Sequence, residues 1–137
     1  MGGALMTEYR INLPFPDSQL SPNKRIDRRA LISVKQTARE IGFYAIKEAQ
    51  IKLENKPIEL TLIFFLPDAR RRDLDNLYSS FKAYQDGIFE ALDIDDSLIK
   101  RVTLQWGGVH DNGSVNVFII QTDADEARDR WLRSQAG

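Results

Sequence analysis

Three arginines stand directly before two closely spaced aspartates near the middle of the chain. Arg70–Arg72 precede Asp73 and Asp75, and a second acidic pair, Asp95-Asp96, follows about twenty residues later. Arginine side chains hold anions such as phosphate, and carboxylates hold divalent cations. An anion site beside a cation site is what the hydrolysis of a phosphodiester needs. We therefore expect this region to act on a phosphodiester bond.

The available ligands favour a hard metal ion. The chain has no cysteine and one histidine, His110, whereas aspartates are frequent after Pro67. Oxygen ligands without nearby His or Cys favour Mg²⁺, with Mn²⁺ as a substitute, over zinc. Taken one at a time, each of these aspartates is more typical of a surface residue that caps a helix, and Asp73 or Asp75 could be such a cap.

Strands and helices alternate around these residues. The pattern predicts strands at Tyr9–Leu13, Ile58–Leu66, Leu98–Trp106 and Val115–Gln121, and helices at Ser33 to about Leu53, about Leu74–Leu92 and from Asp123. This order, β-α-β-α-β-β-α, predicts one α/β (α+β) domain with a mixed sheet flanked by helices. Ile58–Leu66 is apolar at nearly every position, so we expect a central strand that is covered on both faces.

The helix expected at about Leu74–Leu92 separates apolar from polar side chains. One stripe at helical spacing is apolar and comprises Leu77, Phe81, Tyr84, Ile88 and Leu92. The opposite stripe is polar and comprises Asp75, Ser79, Lys82 and Asp86. The helix is therefore expected to bury its apolar face and to present two carboxylates and one lysine along a single line.

Length and composition fit one soluble domain over residues 1–137. The chain has 42% hydrophobic and 28% charged residues, and we find no apolar run as long as a membrane span. We expect a cytoplasmic protein of a bacterial host, encoded by the host, a phage or a prophage. Residues 1–6 are expected to be a cloning remnant or a disordered start, with Met6 as an alternative start codon.

Charge is distributed unevenly, although the net charge is only −1. Residues 23–47 hold seven basic side chains and two acidic ones. We call residues 24–29 the basic arm. A basic arm together with an acidic pocket can bind a polyanion through the first and a metal through the second. The alternative is that the charges of the arm form only a solvated surface.

The segment from Arg70 to Val102 resembles the RusA family of Holliday junction resolvases. The resemblance covers roughly residues 9–106. Its D-L-D-N sequence matches a family motif that supplies two catalytic aspartates, which fall on Asp73 and Asp75. A later D-D-S sequence matches a motif that supplies another, which falls on Asp96.

A family lysine followed four residues later by an aspartate matches Lys82 and Asp86. In the family this lysine comes about one helical turn after D-L-D-N, where this chain has Ser79. Either the chain carries a three-residue insertion or Lys82 is not the equivalent residue, and the polar stripe favours Lys82. Upstream, residues 14–23 resemble the proline-rich and S-x-N segment of the family.

The resemblance implies a Mg²⁺-dependent, structure-selective endodeoxyribonuclease that resolves four-way DNA junctions during recombination and repair. It would act as a homodimer that cuts two strands, with no membrane partner and no small-molecule cofactor. The implied metal ligands are Asp73, Asp75, Asp86 and Asp96, and the implied catalytic residues are Asp73, Asp75, Asp96 and Lys82. The expected DNA contacts are Lys24, Arg25, Arg28, Arg29, Arg70, Arg71, Arg72 and Lys100. The alternative is a non-catalytic DNA-binding or accessory protein of the same fold, which should not bind Mg²⁺ or Mn²⁺.

Overall fold

The computed structural model of the protein describes residues 6–122 and 132–135. These residues form four strands and two long helices: β1 (Thr7–Pro14), α1 (Arg28–Ala49), β2 (Ile58–Leu66), α2 (Leu74–Leu92), β3 (Ile99–Val109) and β4 (Ser114–Gln121). Short 3₁₀ turns at Ser18–Leu20 and Asp96–Leu98 precede α1 and β3. The helix expected from Asp123 lies mostly outside the described residues. Only its residues 132–135 are described, and they are helical and exposed.

The strands form one mixed sheet in the order β1-β4-β2-β3. β4 runs antiparallel to both β1 and β2, whereas β2 and β3 run parallel. Parallel neighbours need a crossover connection, and α2 provides it. The mixed α/β fold predicted from the sequence is confirmed. No helix in the described ranges is long and apolar enough to cross a bilayer.

The core lies between one face of the sheet and the two helices. The apolar stripe of α2 is buried as expected, and it joins one buried cluster with alternate residues of β2 and β4. On the other face of β2, Ile63 and Phe65 are only half-buried. β2 does lie inside the sheet, between β4 and β3. β2 is therefore fully covered on the face toward the helices and only partly covered on the other face.

Helix α1 begins at Arg28, five residues before the expected cap at Ser33, and ends at Ala49. Asp27 occupies the N-cap position, but its side chain makes no capping hydrogen bond. Arg28 and Arg29 are placed in the first helical turn, where the partial positive charge of the helix terminus disfavours cations. These two features explain why the sequence pattern did not indicate this start. The last two residues of the basic arm, Arg28 and Arg29, are therefore helical.

The two helices approach each other closely through two glycines. A Cβ atom added to Gly87 would overlap the backbone of α1 at the carbonyl oxygen of Arg39, and one added to Gly42 would overlap the carbonyl oxygen of Tyr84. Any larger residue at either position would force the helices apart. This contact fixes α1, and with it the first turn that carries Arg28 and Arg29, against α2.

Candidate functional site

A cleft of about 620 Å³ lies between residues 15–24 and the start of α2. We call it the α2 cleft. It is placed where the chain leaves the carboxyl end of β2 and enters α2, and its volume lies in the range of ligand sites. Its lining combines apolar and charged side chains, including Phe15, Pro16, Lys24, Arg71, Asp73 and Leu77.

Two of the three arginines, Arg70 and Arg72, donate hydrogen bonds to the Asp68 carboxylate. The Arg72 guanidinium donates to Asp68 Oδ1 at 2.9 Å and to Oδ2 at 3.2 Å, and the Arg70 side chain donates to Oδ2 at 2.9 Å. These hydrogen bonds, those of Arg70 first, hold the pKa of the Asp68 carboxyl well below its usual range. Asp68 was not predicted as their partner from the sequence, although its spacing of two and four residues from Arg70 and Arg72 was a usable signal.

The Arg72 guanidinium also lies over an aromatic ring. Its guanidinium carbon lies 5.4 Å from the centre of the Phe15 ring, and its side chain is only 18% exposed. An arginine held by both a carboxylate and an aromatic face has a fixed position. Arg72 therefore shapes the cleft by joining residues 67–72 to the segment that follows β1.

Arg71 and Lys24 are the cations that remain available in the cleft. Both side chains are exposed and line it, and neither forms an ion pair with any residue in the described ranges. Of the three arginines expected to contact DNA, Arg71 is thus the one whose charge is not already neutralised. A free guanidinium and a free ammonium on one cleft suit an anionic ligand.

Asp73 occupies the N-cap position of α2 but does not cap the helix with its side chain. Its backbone carbonyl accepts a hydrogen bond from the Leu77 amide at 3.1 Å, while its carboxylate is exposed. Asp75 follows in the first turn and is also exposed, outside the lining of the cleft. The interpretation of Asp73 as a capping residue is therefore not supported. Both charges are stabilised by the helix N-terminus.

The four aspartates expected to hold a metal do not form one group. In residues 6–122 and 132–135, no three His, Cys, Asp or Glu side chains are arranged to hold a metal ion. Asp75 and Asp86 are eleven residues apart on one helix. That separation is roughly 16 Å along the helix axis. One ion cannot contact both within one chain, so the expectation of a four-carboxylate site in the monomer is corrected.

Asp96 lies beyond the other end of α2, in the 3₁₀ turn that precedes β3. Burial raises the pKa of Tyr78, and the charge of Asp96 raises it further, whereas the hydrogen bond to Gln85 lowers it. Asp96 is therefore in electrostatic reach of Tyr78 but is not grouped with Asp73 and Asp75. Its neighbour Asp95 has a structural role, because it accepts the Ser97 amide at 2.8 Å.

Two of the four carboxylates, those of Asp73 and Asp75, still fit a Mg²⁺ site. Mg²⁺ keeps several of its waters and is usually bound by one or two carboxylates together with substrate phosphates. Asp73 and Asp75 are exposed, lie two residues apart, and are free of ion pairs within the described part of the chain. These two carboxylates therefore have the chemistry of a Mg²⁺ site that a bound phosphate would complete.

A second groove, between α1 and α2, contains both candidates for the family lysine. Ser79 and Lys82 line it together with Lys35, Arg39 and Asp86. The Lys82 ammonium lies 5.3 Å from the centre of the Tyr78 ring, and Arg39 pairs with Glu90 at 2.7 Å. Neither Ser79 nor Lys82 lines the α2 cleft.

The remaining expected DNA contacts fall at two places. Arg25, Arg28 and Arg29 are exposed and follow Lys24 directly, at or next to the start of α1. Lys100 is the second residue of β3, and its ammonium donates to the Ser97 carbonyl at 2.9 Å. The start of β3 pairs with the start of β2, whereas the cleft follows the end of β2. Lys100 therefore lies near one end of β2, a strand about 25 Å long, whereas the cleft lies near the other end.

Comparison with known proteins adds little about function. No protein-family profile matches the chain. An uncharacterised protein of Xylella fastidiosa is 35% identical over 94 residues, which are 63% of this chain and 59% of that protein. The matched region thus spans less than two thirds of the relative.

Two solved structures show a weak likeness. Thiamine-monophosphate kinase from Stenotrophomonas maltophilia has 16% identity and a TM-score of 0.37 over 88% of this chain and 32% of the kinase. Hydrogenase maturation protein HypE in complex with ATP has 15% identity and a TM-score of 0.33 over 90% of this chain and 31% of its own. This chain covers about a third of either protein.

Proposed function

We propose that the protein is a structure-selective DNA endonuclease of the RusA type, which acts on four-way junctions in the bacterial cytoplasm. The observation that carries the proposal is the composition of the α2 cleft. Arg71 and Lys24, which form no ion pair within the described residues, line the same cleft as the free carboxylate of Asp73. Asp17 is a second acid in that lining. Positive charge to hold a phosphate, next to a carboxylate that can hold water, is suited to phosphodiester hydrolysis.

In this proposal, Arg71 and Lys24 hold the phosphates next to the scissile one. The Asp73 carboxylate accepts a hydrogen bond from the attacking water and orients it toward phosphorus. Mg²⁺ bound by Asp73, Asp75 and the scissile phosphate would lower the pKa of water and stabilise the charge on the phosphoryl oxygens. Arg72 positions the cleft wall, because Asp68 and Phe15 already occupy its guanidinium.

The basic arm and the α1–α2 groove are proposed to contact the DNA backbone on either side of the cleft. Phosphate contacts fix the position and orientation of a protein on DNA without reading sequence. Lys82 is assigned to such a contact, since it lines the α1–α2 groove rather than the cleft. Two symmetric cuts in one junction require two cleavage sites, so the proposal includes a homodimer, which light scattering of the purified protein would detect.

The test is cleavage of an end-labelled four-way junction in Mg²⁺, in Mn²⁺ and in EDTA. The wild-type protein should cut only with a divalent ion, and Asp73→Asn and Asp75→Asn should abolish cutting while junction binding is kept. Asp111→Asn, in an exposed turn, is the matched control and should cut normally. Cutting by Asp73→Asn at the wild-type rate would refute the assignment.

A non-catalytic DNA-binding protein of the same fold is the second candidate. It is favoured by the lack of any three-ligand acidic group among residues 6–122 and 132–135. Isothermal titration with Mn²⁺ in the presence of an uncleavable junction separates the two. Heat of binding that disappears in Asp75→Asn supports the enzyme, whereas junction binding without any Mn²⁺ binding supports the accessory protein.

A further inference from the structure

We propose that the α2 cleft holds one unpaired nucleotide of the DNA strand, with its base packed against Phe15, a ring that Arg72 holds in place. The inference rests on the proposed function in one respect, namely that the chain binds branched DNA. It adds the substrate feature that the cleft recognises. Nucleotides next to a strand exchange point are the ones that can leave the duplex most easily.

The shape and the apolar lining of the cleft fit a nucleobase better than a phosphate alone. A site for a phosphate alone would need only cations and amides, whereas this cleft is walled by Phe15, Pro16, Pro67 and Leu77. Pro16 and Leu77 are buried, so they form a fixed apolar floor. Its volume of about 620 Å³ is that of a cofactor-sized site. A nucleobase supplies the flat apolar surface that such walls can cover.

The stacking surface is held in place before any ligand binds. Asp68 fixes the Arg72 guanidinium through two of its nitrogens, and the guanidinium lies against the Phe15 ring. Aromatic rings and arginine planes are the surfaces on which proteins stack unpaired bases. Because both groups are already ordered, little conformational freedom is lost when a base binds.

Polar groups are available for the edge of the base and for its backbone. Asn76 lines the same cleft, and its side-chain amide makes no hydrogen bond within the described part of the chain. An amide offers both a donor and an acceptor to the edge of a base. Lys24 and Arg71, at the same cleft, supply charge for the phosphates on either side of the nucleotide. The cleft thus offers complementary groups for the face and edge of the base and for the neighbouring phosphates.

The selectivity for branched DNA follows from the cost of unpairing. Taking a base out of a duplex costs a few kcal/mol, and least where the base is already unpaired. A cleft that rewards an unpaired base therefore favours junctions over continuous duplex.

The experiment compares three fluorescein-labelled four-way junctions by anisotropy in EDTA, so that none is cut. One is fully paired, one carries a single unpaired adenine at the branch, and the third has an abasic tetrahydrofuran in place of that adenine. The wild-type protein should bind the unpaired adenine more tightly than the abasic junction by roughly 5- to 150-fold, the range for one stacked base. Equal affinity for the two would overturn the proposal.

Variants assign the effect to the cleft. Phe15→Leu keeps an apolar side chain but removes the ring, and it should lose most of the difference between adenine and abasic junctions. Phe118→Leu is the matched control, a half-buried phenylalanine on β4, and should keep it. Asn76→Ala provides a second test if Phe15→Leu fails to fold, and should also reduce the difference. Retention of the full difference in either folded cleft variant would refute the placement.

The outcomes separate this inference from the proposed function. Failure to bind any of the junctions would overturn both. Tight binding of all three with no preference for adenine would overturn only the nucleotide site. Free adenosine monophosphate at millimolar concentration should displace little junction. Complete displacement would show that the cleft is a site for free nucleotides instead.

Discussion

The hydroxyl group of Tyr84 donates a 2.9 Å hydrogen bond to the main-chain carbonyl of Pro14. Tyr84 is a buried residue in the middle of α2, and Pro14 is the last residue of β1. The bond therefore joins the helix that carries Asp73 to the residue directly before Phe15. Both sides of the α2 cleft depend on this link for their relative position.

Tyr84→Phe should lower the stability of the fold and loosen the cleft. The loss of one such hydrogen bond costs about 1 kcal/mol. Removal of the hydroxyl group also leaves the Pro14 carbonyl without this hydrogen-bond donor. Urea unfolding of the variant and anisotropy with a four-way junction would measure the two effects. A variant as stable as the wild type, with unchanged affinity, would contradict the link between helix and cleft.

The same residue gives a pH prediction. Burial, followed by the charge of Asp17, raises the pKa of Tyr84 to about 12. The unfolded chain releases the phenolic proton near pH 10. Stability from this group is therefore complete below about pH 10 and is lost as the pH rises toward 12. The difference in unfolding free energy between wild type and Tyr84→Phe should shrink across this interval, and a constant difference would contradict the cause given.

Truncation of Arg71 should weaken DNA binding, whereas truncation of Arg72 should lower the stability of the fold. Arg71→Ala should leave thermal unfolding unchanged but weaken junction binding, with the log–log salt slope lower by about 0.9 for one lost phosphate contact. Arg72→Ala should destabilise the fold by about 1–3 kcal/mol, because it removes a hydrogen-bonded charge that is largely buried. Calorimetry and a salt series of binding isotherms test both. An unstable Arg71→Ala together with a stable Arg72→Ala would reverse our assignment.

Gly87→Ala should destabilise the protein strongly. The added methyl group would overlap the Arg39 carbonyl on α1, and such overpacking costs about 3 kcal/mol or more when backbone must move. Ser79→Ala, on the exposed face of the same helix, is the control and should change stability by less than about 0.5 kcal/mol. Chemical denaturation of both variants measures the contrast, and similar stability of the two would show that the helices can separate freely.

Reversal of charge in the basic arm should stabilise the fold but weaken DNA binding. Arg28→Glu with Arg29→Glu places acidic groups in the first turn of α1, which should stabilise the helix by about 1 kcal/mol. The same change should lower affinity for all DNA shapes and flatten the salt slope, since phosphate contacts are removed. Lys47→Glu, in the last turn of α1, is the control: it should destabilise the helix. A double variant with the wild-type salt slope would mean that the arm lies away from DNA.

Lys82→Ala tests whether the residue binds the backbone or takes part in chemistry. Assigned to a phosphate contact in the α1–α2 groove, it should weaken junction binding while the single-turnover rate at saturating protein stays close to wild type. Ser79→Ala is the neighbouring control and should be nearly silent in both measurements. Loss of the single-turnover rate with unchanged affinity would instead indicate a catalytic lysine.

Local pattern was enough to predict most of the secondary structure. The bounds of β2 and α2 are those expected, because Pro67 interrupts the chain between them and α2 has a clear apolar stripe. The start of α1 was missed, because Asp27 makes no side-chain cap and cations open the helix.

The candidate site was predictable only in part. The Arg70–Arg72 run and Asp73 were found from residue type, and both line the α2 cleft. The stacking of Arg72 on Phe15 was not, because 57 residues separate them and spacing carries no information over that distance. The prediction that Asp75 and Asp86 bind the same metal ion was wrong for a different reason. A shared helix face places residues in line, but not close enough to share an ion.

The glycine contact between α1 and α2 also has a kinetic consequence. Lys24 lines the cleft, α1 begins four residues later at Arg28, and the close approach at Gly42 and Gly87 keeps α1 from sliding along α2. DNA should therefore meet a rigid surface, with no slow rearrangement after the first encounter. Changes in the arm should alter the association rate constant, whereas changes at Asp73 should alter only the steps that follow.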